Sequence, residues 1–237
     1  KQLIATIVIV LALVPAFSQD FNAIEFVENK GQWDSKVKFK GDVAAGTVFI
    51  RDGGFTILKH NAADFARIQE AIHHPVGDLT SRVGPIVLRS NAWDVDFINP
   101  SPQMQIVPEK MLTNYENYFI GNDPSKWAGE CRIYQVLTFK NVYPNVDVRY
   151  YTHNGFLKYD IIAKPGADIS KIALKYKGVN KLQVKNKELV IETSLGQFTE
   201  SYPYSYQSGL KERKVVDCKY VVSDNVVRFQ VKDYDPA

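Results

Sequence analysis

Cysteine and histidine are scarce in this chain. Among 237 residues there are two cysteines, Cys131 and Cys218, and four histidines, His60, His73, His74 and His153. A zinc site needs three or four converging ligands. No paired cysteines and no H-x-x-x-H spacing supply them, so neither a metal centre nor a disulfide framework is expected. The nucleotide and hydrolase fingerprints are missing as well: there is no G-x-S-x-G, no Walker A loop and no dinucleotide motif. "DVDF" at 94–97 is too short for a calcium loop and lies in a strand pattern. No cofactor is implied. An excess of one charge is also lacking, since the formal net charge is only +3. So weak a balance excludes nucleic acid as an expected partner. The lysines at 171, 175, 177, 181, 185 and 187 alternate with apolar residues at strand spacing, which reads as a solvated sheet face and not as a polyanion site.

The chain has no apolar run of the roughly 20 residues that a comfortable membrane span requires. Its longest apolar stretch is at the N-terminus, "KQLIATIVIVLALVPAFSQD". A basic residue, an apolar run, Pro15 and the small-residue pattern Ala16-Phe17-Ser18 predict a secretory signal peptide over 1–18, cleaved before Gln19. An uncleaved anchor is the alternative. The expectation is a secreted or cell-surface protein with no membrane span after cleavage, and residues 1–18 outside the fold. Export would permit a Cys131–Cys218 bridge. In "VVDCKYVV", however, alternation puts Cys218 with Val216, Tyr220 and Val222 on an apolar face. There an unpaired cysteine behaves as a small hydrophobe.

What the chain does have is alternation. From Phe26 onward apolar and polar residues mostly take turns. "KVKFKGDVAAGTVFIRDGGFTILKH" gives two or three strands broken at Gly41, Gly46 and Gly53-Gly54. One helix is predicted, "NAADFARIQEAIHH" at 61–74. Phe65, Ile68 and Ile72 share a face, Asn61 caps it, His73-His74 suit its C-terminal dipole and Pro75 follows. Pro100, Pro102 and Pro108 mark a crossing segment. The expected organisation is an N-terminal β-lobe over 19–108, with the helix as an insertion, and a C-terminal lobe of hairpins over 109–237. The two could equally form one continuous domain. The fold class is all-β: an antiparallel sandwich, or two packed sandwich-like lobes.

One hairpin can be worked residue by residue. Asn154-Gly155 is a strong two-residue turn signal, because a type I′ turn needs positive φ at both positions. Centring there pairs His153 with Phe156, Tyr150 with Tyr159, Arg149 with Asp160 and Val148 with Ile161. A four-residue loop over 152–155 would instead oppose Arg149 to Lys158 and Asp147 to Asp160. Like charges directly opposite destabilise a ladder, whereas unlike ones contribute about 0.2–1 kcal/mol. Both arguments choose the first register, with Arg149 and Asp160 as a structural ion pair. One face then carries Val148, Tyr150, Leu157, Tyr159 and Ile161, and the other Arg149, Tyr151, Lys158 and Asp160. A glycosidase pair needs carboxyls roughly 5–10 Å apart across a sugar site, and Asp147 and Asp160 approach that only in the rejected register. Turns at Asn186-Lys187 and Asp224-Asn225 predict two further hairpins, pairing Val184 with Leu189 and Tyr220 with Phe229.

Aromatic residues supply the remaining hint. "SYPYSYQ" places Tyr202, Tyr204 and Tyr206 at a spacing of two, hence on one face. Such a stripe is either the core side of a strand or an exposed platform on which sugar rings stack. "NYENYF" (Tyr115, Tyr118, Phe119) poses the same choice.

Several blocks together carry a resemblance: "FVENKGQW" (26–33), "NYFIGNDPSKW" (117–127), "NVYPNVDVRYY" (141–151), "LKYDIIAKPGADISKIALKYKG" (157–178) and "LVIETSLGQFTESYPYSYQ" (189–207). The chain resembles an N-terminal domain of unknown function in large secreted proteins, notably of Bacteroidota. There it precedes SBBP-type β-propeller repeats, in chains that often end in a gliding-motility-associated or type IX secretion sorting domain. The resemblance covers nearly everything from about residue 25. It supplies no catalytic residues and implies a surface-exposed β-module whose partners are other β-modules of a longer chain, or a surface glycan or protein. The expected function is therefore a non-catalytic structural or adhesive module of an exported cell-surface protein. The alternative is a carbohydrate-binding module using the exposed tyrosines. A third reading is the accessory part of a secreted hydrolase.

Overall fold

A computed structural model describes residues 2–8 (backbone only), 24–73, 87–153, 155–208 and 213–235. The fold is all-β, antiparallel and sandwich-like, with one helix of seven or more residues. In chain order the first strands are β1 (Gln2–Val8), β2 (Phe26–Glu28), β3 (Val37–Val43), β4 (Gly46–Arg51) and β5 (Gly54–His60). Helix α1 (Ala62–His73) and β6 (Ser90–Phe97) follow, then two long strands, β7 (Gln105–Tyr118) and β8 (Ala128–Tyr143). The hairpin region holds β9 (Val146–His153), β10 (Phe156–Ala163), β11 (Ala173–Lys177), β12 (Lys181–Lys185), β13 (Glu188–Thr193) and β14 (Gly196–Glu200). The last four strands are β15 (Tyr204–Ser208), β16 (Arg213–Val216), β17 (Cys218–Ser223) and β18 (Val226–Val231).

Fifteen strands form one sheet, fourteen of them in the hydrogen-bonded order β16-β15-β1-β10-β9-β8-β2-β3-β4-β5-β6-β11-β18-β17 and the fifteenth, β7, attached to β8. Strands β12, β13 and β14 make a separate small sheet. The long path curls back on itself. Its two ends, β16 and β17, are joined through Asp217 alone. Rings from strands far apart along the path also meet across the interior: Phe55 lies 5.6 Å from Tyr150, and Phe97 lies 5.8 Å from Phe139. The small sheet closes this core, with Phe198 5.1 Å from Trp93 and with Leu189 and Ile191 buried. Burying one such side chain contributes about 1.5–3 kcal/mol. Gly178 lies between β11 and β12, where the chain leaves one sheet for the other. It has φ +81°, and a Cβ there would stand 2.7 Å from the Ala92 carbonyl, so glycine is required twice over.

The worked hairpin has the predicted register throughout, from Phe156 opposite His153 to Ile161 opposite Val148. Val148, Tyr150, Leu157, Tyr159 and Ile161 are buried, and Arg149, Tyr151, Lys158 and Asp160 lie on the other face, half-buried. Asn154 itself lies outside the described residues. The other two hairpins pair as their turn residues dictate, Val184 with Leu189 and Tyr220 with Phe229. Asn186, Lys187, Asp224 and Asn225 all take the positive φ that such turns need.

Three features bear on the sequence reading. First, Gln2–Val8 is a strand between β10 and β15, with Thr6 opposite Asp160 and Tyr204, whereas 1–18 was expected outside the fold. β-branched and leucine-rich residues suit both an apolar leader and a strand, so composition alone does not separate the two. The cleavage position before Gln19 lies outside the described residues. Second, β7 runs across the boundary drawn at residue 108, and β2 pairs with β8 and β6 with β11. The two halves of the chain therefore share one sheet. Third, the apolar stripe of α1 holds the helix only in part. Ile72 is 64% exposed. The anchors are Asp64, which accepts two hydrogen bonds from the Arg89 guanidinium at 2.7 and 2.9 Å, and Phe65, stacked on His60 at 5.7 Å. The Asn61 side chain caps the Ala63 and Asp64 amides as expected, while His74 and Pro75 lie outside the described residues. Cys131 and Cys218 are both buried and free, so the bridge does not form.

Among the described residues the core holds one carboxyl without a cation. Glu200, at the end of β14, is 1% exposed. It accepts hydrogen bonds from the Tyr176 hydroxyl at 2.6 Å and the Tyr159 hydroxyl at 3.2 Å. Burial drives its pKa from 4.5 to about 7, against the opposing effect of those two hydroxyls. The folded state thus binds a proton more tightly than the unfolded chain. That contribution is complete below about pH 4.5 and is lost as the pH rises through about 7. Replacing Glu200 by Gln should flatten the pH dependence of stability, on the order of 3 kcal/mol between pH 4.5 and 8. Urea unfolding of both forms across that range measures it. A parallel decline in the two proteins would contradict the assignment.

Candidate functional site

The outward face of β7, β8, β9 and β10 carries the most concentrated chemistry among the described residues. Alternation creates it. The residues that flank the buried Val148, Tyr150 and Tyr159 point away from the core, bringing Arg149 and Tyr151 of β9 beside Asp160 of β10. The long strand β8 adds Gln135, and β7 beyond it adds Lys110. Together with Val136 and Thr152 these residues line a cavity of about 400 Å³.

The polar groups of the cavity are unequally satisfied. The Tyr151 hydroxyl donates to Asp160 Oδ1 at 3.2 Å. Burial, and then the adjacent Asp160 carboxylate, push the Tyr151 phenol well above its usual range. Thr152 Oγ1 accepts from the Ile24 amide at 2.7 Å, tying the segment that enters β2 to the end of β9. Arg149 is the cross-strand neighbour of Asp160, as predicted. Its described ion pair, however, is with Glu109 on β7, Nη2 to Oε2 at 4.0 Å. The Arg149 Nε is buried with no hydrogen-bond partner. Glu109 is also held by the Thr138 hydroxyl. The sequence argument gave the register and the neighbouring Asp160, but it could not see Glu109 on β7.

Lys110 sits in the middle of β7 with φ +55°. A left-handed backbone at a non-glycine residue costs about 1–3 kcal/mol and persists only where the surroundings enforce it. Among the described residues its ammonium makes no hydrogen bond or ion pair. Lys110, Gln135 and Glu109 were missed by sequence reasoning. A lysine flanked by Glu109 and Met111 carries no turn signal.

The expected tyrosine stripe lies on the same outward side of the sheet. Ser205 and Gln207 turn inward and are buried. Tyr202 and Tyr204 are 52% and 45% exposed. The Tyr204 and Tyr206 rings lie 6.1 Å apart, and the Arg213 guanidinium covers the Tyr206 ring at 4.7 Å. The second aromatic group divides: Tyr118 packs edge-on against Trp33 at 5.1 Å, while Tyr115 and Phe119 are exposed.

Elsewhere ionisable groups serve neighbouring strands. Arg51 bridges Asp94 at 3.2 Å and Asp96 at 2.8 Å, and Lys177 reaches Asp96 at 2.9 Å. Of the lysine series, 171, 177, 181, 185 and 187 are exposed and Lys175 is half-buried. No group of three or more metal-binding side chains occurs among the described residues. Among those residues, too, no helix is long and apolar enough to cross a membrane.

Architecture and face together define an all-β, sandwich-like domain with a polar cavity on its outer sheet. The chain belongs to the family described as a domain of unknown function (DUF7948), whose model matches residues 26–237. Neither a curated protein nor a solved structure matches it.

Asp147, the other carboxyl of the rejected glycosidase pair, is buried beneath Lys164 at 2.9 Å and Lys140 at 3.4 Å, and it accepts from the Asn141 amide at 2.8 Å. Burial alone would raise its pKa, but the amide and the two ammoniums bring it below 3.8. Asp147→Ala strands these donors and is expected to destabilise the fold by about 2 kcal/mol. Chemical denaturation at pH 7 checks this, and the loss should shrink as the pH falls towards the acid range.

Proposed function

We propose that this domain is a non-catalytic structural or adhesive β-module at the N-terminus of a larger exported cell-surface protein. The observation that carries the reading is the disposition of its ionisable groups. Asp94, Asp96 and Asp147 are each spanned by a cation from an adjacent strand or loop, and Glu200 is sealed between two tyrosines. These arrangements hold ribbons together. The leader-like N-terminus supports export. The resemblance noted above supports a finer placing, in Bacteroidota, ahead of SBBP-type repeats and a type IX or gliding-motility sorting domain.

A tagged full-length protein should be protease-accessible on intact cells, with a mature N-terminus at Gln19 and therefore without β1. Retention in the cytoplasm with residues 1–18 intact would overturn the reading. The rest of the open reading frame tests the finer placing directly.

The outward tyrosines favour a second reading, carbohydrate binding. Tyr204 and Tyr206 share the outward side of β15, Tyr204 exposed and Tyr206 half-buried under Arg213, with their rings tilted 45° to one another. A glycan array should register binding that falls at least tenfold in a Tyr202→Ala, Tyr204→Ala, Tyr206→Ala triple variant. An array with no binder would remove this reading and leave the first intact.

A further inference from the structure

We propose that, once the leader is cleaved, the slot that β1 leaves between β10 and β15 takes up a replacement strand from the part of the larger protein that follows Ala237. The proposal rests on the reading of an exported protein whose mature chain begins at Gln19, and it adds the way in which the mature fold is completed.

Cleavage before Gln19 removes Gln2–Val8, and β1 is an interior strand of the large sheet. It pairs with β10 from Leu3 opposite Ala163 to Val8 opposite Lys158, and with β15 from Gln2 opposite Ser208 to Thr6 opposite Tyr204. Both pairings are antiparallel, so β10 and β15 run parallel to each other across the slot. Paired strands lie about 4.8 Å apart. With β1 gone, the two edges stand roughly 10 Å apart and cannot bond to each other directly. Each then presents a row of unpaired amides and carbonyls, a template for another strand. No proline or bulge blunts either edge: Phe156–Ala163 and Tyr204–Ser208 contain no proline, and their pairings with β9 and β16 run without a register shift.

The inner side of the slot sets the chemistry of the occupant. Tyr159, Ile161 and Ala163 of β10 and Ser205 and Gln207 of β15 are each at most 5% exposed. Leu3, Ala5 and Ile7 hold the register positions opposite them. An open slot would wet this lining, including the Tyr159 hydroxyl that holds Glu200. The replacement is therefore an extended segment about as long as β1, apolar at three alternate positions. Opposite Lys158, Asp160 and Ile162, on the outward face, it is free to be polar. In such strand addition, main-chain hydrogen bonds supply affinity and alternate side chains supply specificity.

The chain itself is led to the slot. Gln207, opposite Leu3, grips the backbone of Asp235: its Nε2 donates to the Asp235 carbonyl at 2.5 Å, and its Oε1 accepts from the Asp235 amide at 3.1 Å. Lys214 on β16 donates to the Asp233 carbonyl at 3.0 Å. The segment after β18 is thus held at the end of the slot where β1 begins. A strand continuing from there runs from Gln207 towards Tyr204, in the direction of β1, and is antiparallel to both edges. Tethering at that point gives it a high effective concentration, which a strand from another molecule lacks.

The test is hydrogen–deuterium exchange on the full-length mature protein, with its N-terminus sequenced and its mass measured by light scattering. A monomer beginning at Gln19 should protect the slot-side amides of 158–163 and 204–208, with exchange at least about a hundredfold slower than in an unfolded chain. Fast exchange at either edge, or protection confined to a dimer or to a complex with a second protein, overturns the proposal and leaves the export reading intact. Retention of residues 1–18 overturns the proposal together with the leader cleavage on which it rests, since β1 then fills its own slot. A second form, stopped after Ala237, should lose the protection and regain it when a synthetic peptide of the Gln2–Val8 sequence is added. Protection without the peptide traces the strand to another part of the chain, and no protection with it removes the slot; either result overturns the proposal.

Discussion

A β-strand hydrogen-bonded on both sides has only its two faces left to dispose of, and nearly every strand of this domain puts an apolar face inward and a polar face outward. That constraint organises the molecule. With successive side chains on opposite faces, choosing which residues are buried also chooses which are displayed. Burying Val148, Tyr150, Tyr159 and Ile161 puts Arg149, Tyr151 and Asp160 side by side on the outside. The candidate site is the obverse of the core.

The interior has to close a sheet of fifteen strands, and it does so with rings. Phe55, Phe139 and Tyr159 each approach Tyr150 within 6 Å, three of them in contact from strands that are not all neighbours in the sheet. Glu200 then adds directionality that apolar packing lacks. Its two oxygens take one hydroxyl from β10 and one from β11, fixing the small sheet against two separate places on the large one. A buried carboxyl without a cation is costly unless neutral or fully hydrogen-bonded, so this joint links the packing of the domain to the protonation state of one group.

Much of this was legible in advance. Turn residues with positive φ and the sign of cross-strand charges gave the hairpin registers, because both act over a few residues. The buried character of Cys218 followed from alternation alone. The helix was found through its cap, yet its apolar stripe told only part: Ile72 is exposed, and the contact of Asp64 with Arg89 joins that of Phe65 with His60 in attaching the helix. The pocket was half visible. Arg149, Tyr151 and Asp160 were placed on one face by the hairpin, but Lys110 and Gln135 come from a β7–β8 pairing interrupted by register shifts, which no local signal encodes.

The sequence by itself determined the all-β class, the registers of the short hairpins and which face of each ribbon is greasy, because turn chemistry and alternation are local. Only the tertiary structure decided the order of strands in the long path, the seating of Gln2–Val8 between β10 and β15, the pairing of Arg149 with Glu109 and the burial of Glu200. Those depend on which distant segments meet. Many strands share the same alternating pattern, so the pattern cannot say which one lies beside which.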